Sequence, residues 1–170
     1  MSTLNLVSLS DAQKLTSPNP FCLVGSSMIN GDTNLMAVSW WTYLSNRPAM
    51  VAVSLSCRSY SNECIRETGE FTISVVDKKL AKQAMQCGTS TGRLVSKAKE
   101  FGIELCKSNT VNPCYVKESS VALECRVVQK VLAGDHTVFI SEVTAVHTRD
   151  INKTLYAVDG YRRLASVTEE

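Results

Sequence analysis

Apolar and polar residues alternate along much of the chain with the two-residue period that is typical of β-strands. The longest such runs are 120–131 and 136–148, which the segment LAGD joins into one long hairpin. Further strands are predicted at 21–29, 33–45, 49–56 and 71–76, with a short last strand after residue 150. The Asn-Gly pair at 30–31 predicts a hairpin with a type I′ turn between the first two of these.

Two short helices interrupt the strands. Ser59 can cap a two-turn helix that ends at Gly69, and Asp77 can cap a second helix that ends at Gly88. Residues 89–113 show weak periodicity, so they are predicted to form a surface loop with a single helical turn near its middle.

The order of these elements favours an antiparallel barrel. Consecutive hairpins without a βαβ repeat argue against a doubly wound parallel sheet. We therefore predict a mainly β fold, a closed or split β-barrel with short helices and Greek-key-like antiparallel strands. The 170 residues are enough for a single domain spanning 1–170 with an adequate core.

Composition and charge exclude several classes of function. The net charge is only +2, and the Lys and Arg residues are scattered, so a nucleic-acid partner is not expected. No apolar run is long enough for a membrane helix, and the first residues do not resemble a secretion signal, which predicts a cytoplasmic protein. The seven cysteines lack C-x-x-C spacing and are expected to be reduced thiols rather than metal ligands.

Three local features are candidates for chemistry. Trp40 and Trp41 are adjacent on a predicted strand and must point to opposite faces, so only one of them can fill the core. The segment GTSTG fits the pattern of a serine-hydrolase elbow around Ser90, but a predicted helix precedes it where an elbow needs a strand. Arg58 and Ser61 lie at the start of the first helix, where free N–H groups favour an anion.

Several longer blocks together resemble a known family. They are NPFCLVGSS, NLMAVSWWTYLSNRPAMVAVSLS, CRSYSNECIRETGEFTISVV, GDHTVFISEV and DGYRRL. In their order and spacing these blocks are similar to the flavin reductase-like FMN-binding split-barrel proteins, most of all to the flavoredoxins. The resemblance implies an FMN-binding split barrel that works as a homodimer, in flavin reduction by NADH or NADPH or in electron transfer with a protein donor. A non-enzymatic flavin-binding module is the alternative.

The resemblance also implies site residues. His136 would position the flavin or the nicotinamide, or would relay a proton. Ser61 and Arg58 would bind the FMN phosphate, and Lys97 either the phosphate or the ring. Trp40 would lie beside the ring with Trp41 in the core, although the reverse remains open. The full set of implied cofactor contacts is Asn34, Ser39, Trp40, Trp41, Thr42, Ser54, Cys57, Arg58, Ser59, Ser61, Lys97 and Tyr161.

Overall fold

The computed structural model describes residues 5–149, 154–159 and 162–166. The strands are β1 (Asn19–Pro20), β2 (Cys22–Ser27), β3 (Thr33–Val38), β4 (Trp41–Asn46), β5 (Ala49–Ser56), β6 (Glu70–Val76), β7 (Leu105–Cys106), β8 (Tyr115–Val116), β9 (Ser119–Ala133), β10 (His136–Thr148), β11 (Leu155–Ala157) and β12 (Leu164–Ser166). The helices are α1 (Leu9–Leu15), α2 (Tyr60–Thr68), α3 (Ala81–Thr89) and α4 (Lys97–Glu100), with a 3-10 turn at Lys78–Leu80.

Seven strands form one antiparallel sheet in the order β3-β2-β6-β9-β10-β5-β4. β3 and β4 lie at opposite edges of this sheet, yet only Ser39 and Trp40 separate them in the chain. A link of that length spans only about 10 Å, so the two edges must come together and the sheet must curl. The predicted mainly β, antiparallel barrel with short helices is confirmed.

Both faces of the sheet are buried at β2. Cys22 and Val24 point into a core that Phe71 and Phe139 fill from other strands. Leu23 points the other way, into a second core that includes Ala84 of α3. This two-sided burial explains why β2 begins with a continuous apolar run, CLVG, rather than an alternating one.

Several predicted elements are present as expected. β9 and β10 pair along almost their full lengths and are joined at Gly134, whose φ is +60°. Ser59 caps α2, since its Oγ accepts a hydrogen bond from the Asn62 amide at 3.2 Å. Gly69 ends the same helix with a left-handed φ of +70°.

Two strand predictions were wrong. The predicted strand 33–45 is broken at Ser39 and Trp40, because its two halves pair at opposite edges of the sheet. The connection between β2 and β3 is a five-residue loop, 28–32, rather than a two-residue type I′ turn. In that loop only Gly31 has a positive φ, of 84°, whereas a type I′ turn needs two such residues.

Other elements carry too little pattern to be predicted. None of the residues in α1 is buried, so no apolar stripe marks it. The three-stranded sheet β1-β11-β12 and the pair β7-β8 are made of strands of two or three residues. Such strands are too short to show alternation. Of these strands, only β11 was predicted, as the short last strand after residue 150.

A buried carboxylate on β9 holds the 107–114 segment against the barrel. Glu124 is 0% exposed, and it accepts hydrogen bonds from the Asn109 amide at 2.8 Å and the Thr110 amide at 2.6 Å. The Thr110 hydroxyl and His147 Nε2 also lie within 2.6 and 2.7 Å of its oxygens. Burial alone would raise the pKa of Glu124, but these hydrogen bonds outweigh it and lower the pKa to about 2.

Candidate functional site

The start of α2 forms one wall of a polar cavity. Capping by Ser59 satisfies the Asn62 amide, while the amides of Tyr60 and Ser61 bond to no other described residue. Such free N–H groups at the positive end of a helix favour an anion. The cavity holds about 250 Å³, and we call it the α2 cavity. Its lining residues are Asn34, Met36, Ala37, Arg58, Ser59, Tyr60, Ser61, Cys87, Gly88, Ser90, Thr91, Gly92 and Lys97.

Asn34 and Ser61 form a buried pair in this cavity. The Asn34 amide nitrogen donates to Ser61 Oγ at 2.8 Å, and each residue is 2% exposed. Asn34 Oδ1 has no hydrogen-bond partner among the described residues. Gly92 lies directly beside it, because a Cβ built on Gly92 would be 2.1 Å from that oxygen. A buried acceptor without a partner is rare and indicates a missing donor, such as one on a bound ligand.

Lys97 supplies a buried cation to the lining of the α2 cavity. It is the first residue of α4 and is only 4% exposed, and its Nζ donates to the Cys87 carbonyl at 2.7 Å. Burial lowers the pKa of Lys97, and the nearby Cys87 partly opposes that shift. Two N–H donors of the ammonium remain for a ligand.

A second, smaller cavity of about 100 Å³ is lined by two aromatic side chains, Trp40 and His136, and we call it the Trp40 cavity. The rings of Trp40 and His136 are 4.9 Å apart at an angle of 38°. His136 Nδ1 lies 2.7 Å from Asp135 Oδ1, and this hydrogen bond lowers the pKa of Asp135. The residues that line the Trp40 cavity are Met36, Ala37, Val38, Trp40, Ser54, Leu55, Ser56 and His136.

A third depression, of about 270 Å³, is the most apolar, and we call it the Met85 cavity. Its lining residues are Phe21, Met36, Ala37, Met85, Gly88 and Thr89. Met36 and Ala37 line all three cavities, so the three meet at the middle of β3. Sequence reasoning missed both residues. The only available signal was that Met36 follows Asn34 by two positions and so shares its face of the strand.

The two tryptophans are separated as their spacing requires. Trp40 is exposed and lines the Trp40 cavity, whereas Trp41 is partly buried and packs against the barrel core. The Trp41 ring also meets Tyr43 edge-on, at 5.4 Å. Trp41 lines none of the three cavities, which makes Trp40 the tryptophan placed to meet a ligand.

The remaining candidate residues are more scattered. Ser39 is buried beside Trp40, in a separate cavity near α1. Thr42 is exposed on β4, where its hydroxyl donates to the Tyr43 carbonyl at 3.2 Å. Cys57 is exposed, with its Sγ 3.6 Å from Thr137 Oγ1. Tyr161 lies outside the described residues.

Ser90 is not arranged as a hydrolase nucleophile. It follows helix α3 rather than a strand, and its Oγ donates to the Gln86 carbonyl at 2.7 Å. The two histidines bond to carboxylates elsewhere, His136 to Asp135 and His147 to Glu124. The GTSTG segment instead forms a wall of the α2 cavity.

Two other kinds of site are absent from the described part of the chain. No group of three or more His, Cys, Asp or Glu residues there could hold a metal ion. None of its helices is long and apolar enough to cross a membrane. All seven cysteines are free.

The combined site fits a phosphate monoester that is joined to a flat heterocycle. The α2 cavity offers two free amides, a hydroxyl and two cations to an anion, and the Trp40 cavity offers two rings to a flat group. Ligand sites usually measure about 300 to 1,000 Å³, so neither cavity is large enough alone. A ligand that spans both must cross Met36 and Ala37, where the cavities meet.

Comparison with known proteins agrees with this geometry. The family model described as "Flavin reductase like domain" matches residues 15–165. The chain is 26% identical to the flavoredoxin of Desulfovibrio vulgaris (Miyazaki F), with a TM-score of 0.85 over 100% of this chain and 94% of that one. A putative flavin reductase with a split barrel domain from Shewanella frigidimarina shares the fold, at 19% identity and a TM-score of 0.85, over 95% of this chain and 88% of that one.

Among curated relatives, a ferric-chelate reductase (NAD(P)H) of Archaeoglobus fulgidus is 27% identical over 116 residues, which cover 67% of this chain and 68% of that protein. The matched segments span 68%, 50% and 65% of the lengths of three other curated relatives.

Proposed function

Because the chain belongs to the flavin reductase-like domain family, we propose that it is an FMN-dependent oxidoreductase that binds the cofactor across the α2 and Trp40 cavities. The observation that carries this proposal is the pair of free amides at the start of α2, which can donate to a phosphate. The buried side-chain oxygen of Asn34 has no partner among the described residues and can accept from a hydroxyl of the same ligand. The choice of FMN as the flavin is supported by the shared fold with an FMN-binding protein of Thermus thermophilus, at 20% identity and a TM-score of 0.86, over 100% of this chain and 98% of that one.

The α2 cavity would hold the phosphate of FMN. The amides of Tyr60 and Ser61, together with the Ser61 hydroxyl, can donate to phosphate oxygens. Arg58 lines the cavity at the same helix end and adds positive charge. Lys97 lines the α2 cavity and not the Trp40 cavity, which favours a role at the phosphate over one at the ring.

The Trp40 cavity would hold the flavin ring, which would carry hydride or electrons when FMN is bound. Trp40 would provide flat apolar contact and exclude water from one side of the ring. His136 is held by Asp135 through Nδ1, which leaves Nε2 to position a polar group of the cofactor or of the electron donor.

A purified preparation reconstituted with FMN is expected to be yellow and to bleach when NADH or NADPH is added without oxygen. The visible spectrum near the flavin absorption band measures both properties. Colour that neither nucleotide bleaches would point to a protein electron donor or to a flavin-binding module. A protein that stays colourless after reconstitution would overturn the proposal.

Ser61→Ala is expected to weaken FMN binding by about 1.5 to 3 kcal/mol, or roughly ten- to a hundredfold, because the hydroxyl would meet a charged phosphate. Isothermal titration with FMN measures the change. Ser61→Thr is the matched control, since it keeps the hydroxyl and should keep most of the affinity. Equal affinity in Ser61→Ala and the unchanged protein would remove Ser61 from the site.

We also propose that the protein is a cytoplasmic homodimer. The free cysteines are consistent with a reducing compartment. Tyr43 and Leu44 are exposed on edge strand β4 next to Trp40, and this apolar surface is suited to a partner subunit. Sedimentation velocity tests the dimer, and a purely monomeric protein would contradict it. Cell fractionation tests the cytoplasmic location.

A further inference from the structure

Arg93 joins the two walls of the α2 cavity. Its guanidinium donates to both carboxylate oxygens of Glu63, at 3.3 and 2.5 Å, and its Cζ lies 4.8 Å from the centre of the Tyr60 ring. Glu63 and Tyr60 belong to the first turns of α2, whereas Arg93 directly follows the loop 90–92. Arg93 and Glu63 do not line the cavity themselves. Their contact therefore acts between the walls rather than on a ligand.

The loop that Arg93 holds is closely packed over the site. A Cβ on Gly92 would come within 2.1 Å of Asn34 Oδ1 and 3.1 Å of Tyr60 Cδ1. Ser90 and Thr91 line the same wall. Because Arg93 is adjacent to Gly92, releasing its contact with α2 would free the loop to move away from Asn34.

The contact is weak enough to open. The side chains of Arg93 and Glu63 are 48% and 44% exposed, so their ion pair is partly hydrated and screened by salt. A cation–π contact at an exposed site adds a similarly small stabilisation. Together the two contacts favour the closed loop over the open one by roughly three- to thirtyfold.

We propose that Arg93 is a positioning residue that holds the loop 90–92 against α2 and so sets how long FMN stays bound. This inference rests on the proposed function, because it takes the FMN phosphate as the group enclosed by the loop. Arg93 acts through Glu63 and Tyr60 rather than by binding the phosphate, since these two residues already occupy its guanidinium.

Dissociation of FMN, followed by stopped-flow fluorescence, tests the proposal. Arg93→Ala is expected to raise the dissociation rate constant by roughly three- to thirtyfold, because it removes both contacts. Glu63→Gln is expected to raise it by at most about fivefold, because Arg93 keeps its contact with Tyr60. The double variant should dissociate no faster than Arg93→Ala, because that change already removes the ion pair that Glu63→Gln breaks. Salt should accelerate dissociation from the unchanged protein more than from either variant. Arg93→Lys keeps the charge, so FMN should dissociate from it more slowly than from Arg93→Ala.

Lys117→Ala is the matched control, since it breaks another exposed ion pair, with Glu104, outside the site. It should leave the dissociation rate constant unchanged. An unchanged rate constant in Arg93→Ala would overturn the proposal. Slower dissociation in Glu63→Gln would also overturn it, because this result would mean that a freed Arg93 binds the phosphate itself.

Amide hydrogen exchange of the FMN-free protein separates this inference from the proposed function. Peptides covering 88–94 should exchange faster in Arg93→Ala and Glu63→Gln than in the unchanged protein or in Lys117→Ala. Unchanged exchange would overturn the role of Arg93 in holding the loop. Failure of the unchanged protein to bind FMN would overturn the proposed function, while the exchange result would still report on the loop.

Discussion

Gly92→Ala is expected to weaken FMN binding by about 2 to 4 kcal/mol, or roughly thirty- to several hundredfold. The new methyl group would lie 2.1 Å from Asn34 Oδ1 and 2.7 Å from Asn34 Cγ, so the Asn34 side chain would have to move. That movement would break its hydrogen bond with Ser61 and take its free acceptor out of the cavity. Isothermal titration with FMN measures the loss.

Asn34→Ala provides the control for this prediction. Once the amide is absent, a methyl group on Gly92 has little left to displace, so Gly92→Ala should cost much less in the Asn34→Ala background. Far-ultraviolet circular dichroism should show that each variant remains folded. If the effects of Gly92→Ala and Asn34→Ala simply add, the two residues do not act together and the steric explanation is wrong.

The main features of the barrel can be predicted from the sequence because they arise from local patterns. Strict alternation located β9 and β10, and the cap at Ser59 with the left-handed Gly69 located α2. The break at Ser39 and Trp40 could not be predicted in the same way. It depends on strand pairing across the whole sheet, because β3 and β4 pair at opposite edges that only the curling of the sheet brings together.

The candidate site likewise contains features that the local sequence predicts and features that it does not. The helix start and the adjacent tryptophans are features of consecutive residues, so Ser61 and Trp40 could be selected from the sequence. The close contact of Gly92 with Asn34 joins residues 58 positions apart, and no local pattern records it. The GTSTG segment was considered for its serine, whereas its contribution to the cavity comes from glycines that allow close approach.

Glu124→Ala is expected to destabilise the fold by about 3 to 5 kcal/mol, because buried hydrogen-bond donors would lose their acceptor. The donors are the two amides of Asn109 and Thr110, the Thr110 hydroxyl and His147. Urea unfolding measures the change as a lower midpoint at an unchanged slope. Glu104→Ala is the matched control, since that carboxylate is exposed and pairs only with Lys117 at the surface, so its loss should matter little.

The stabilisation from Glu124 should also depend on pH. Its pKa is about 2 in the folded protein against an ordinary value of 4.5, so the unfolded chain takes up the proton first as the pH falls. The contribution is therefore complete above pH 4.5 and is lost as the pH falls toward 2, by about 3 kcal/mol in all. Glu124→Gln has no such carboxylate, so its unfolding free energy should fall less steeply over this range. Parallel curves for the two proteins would show that Glu124 is not the group that titrates.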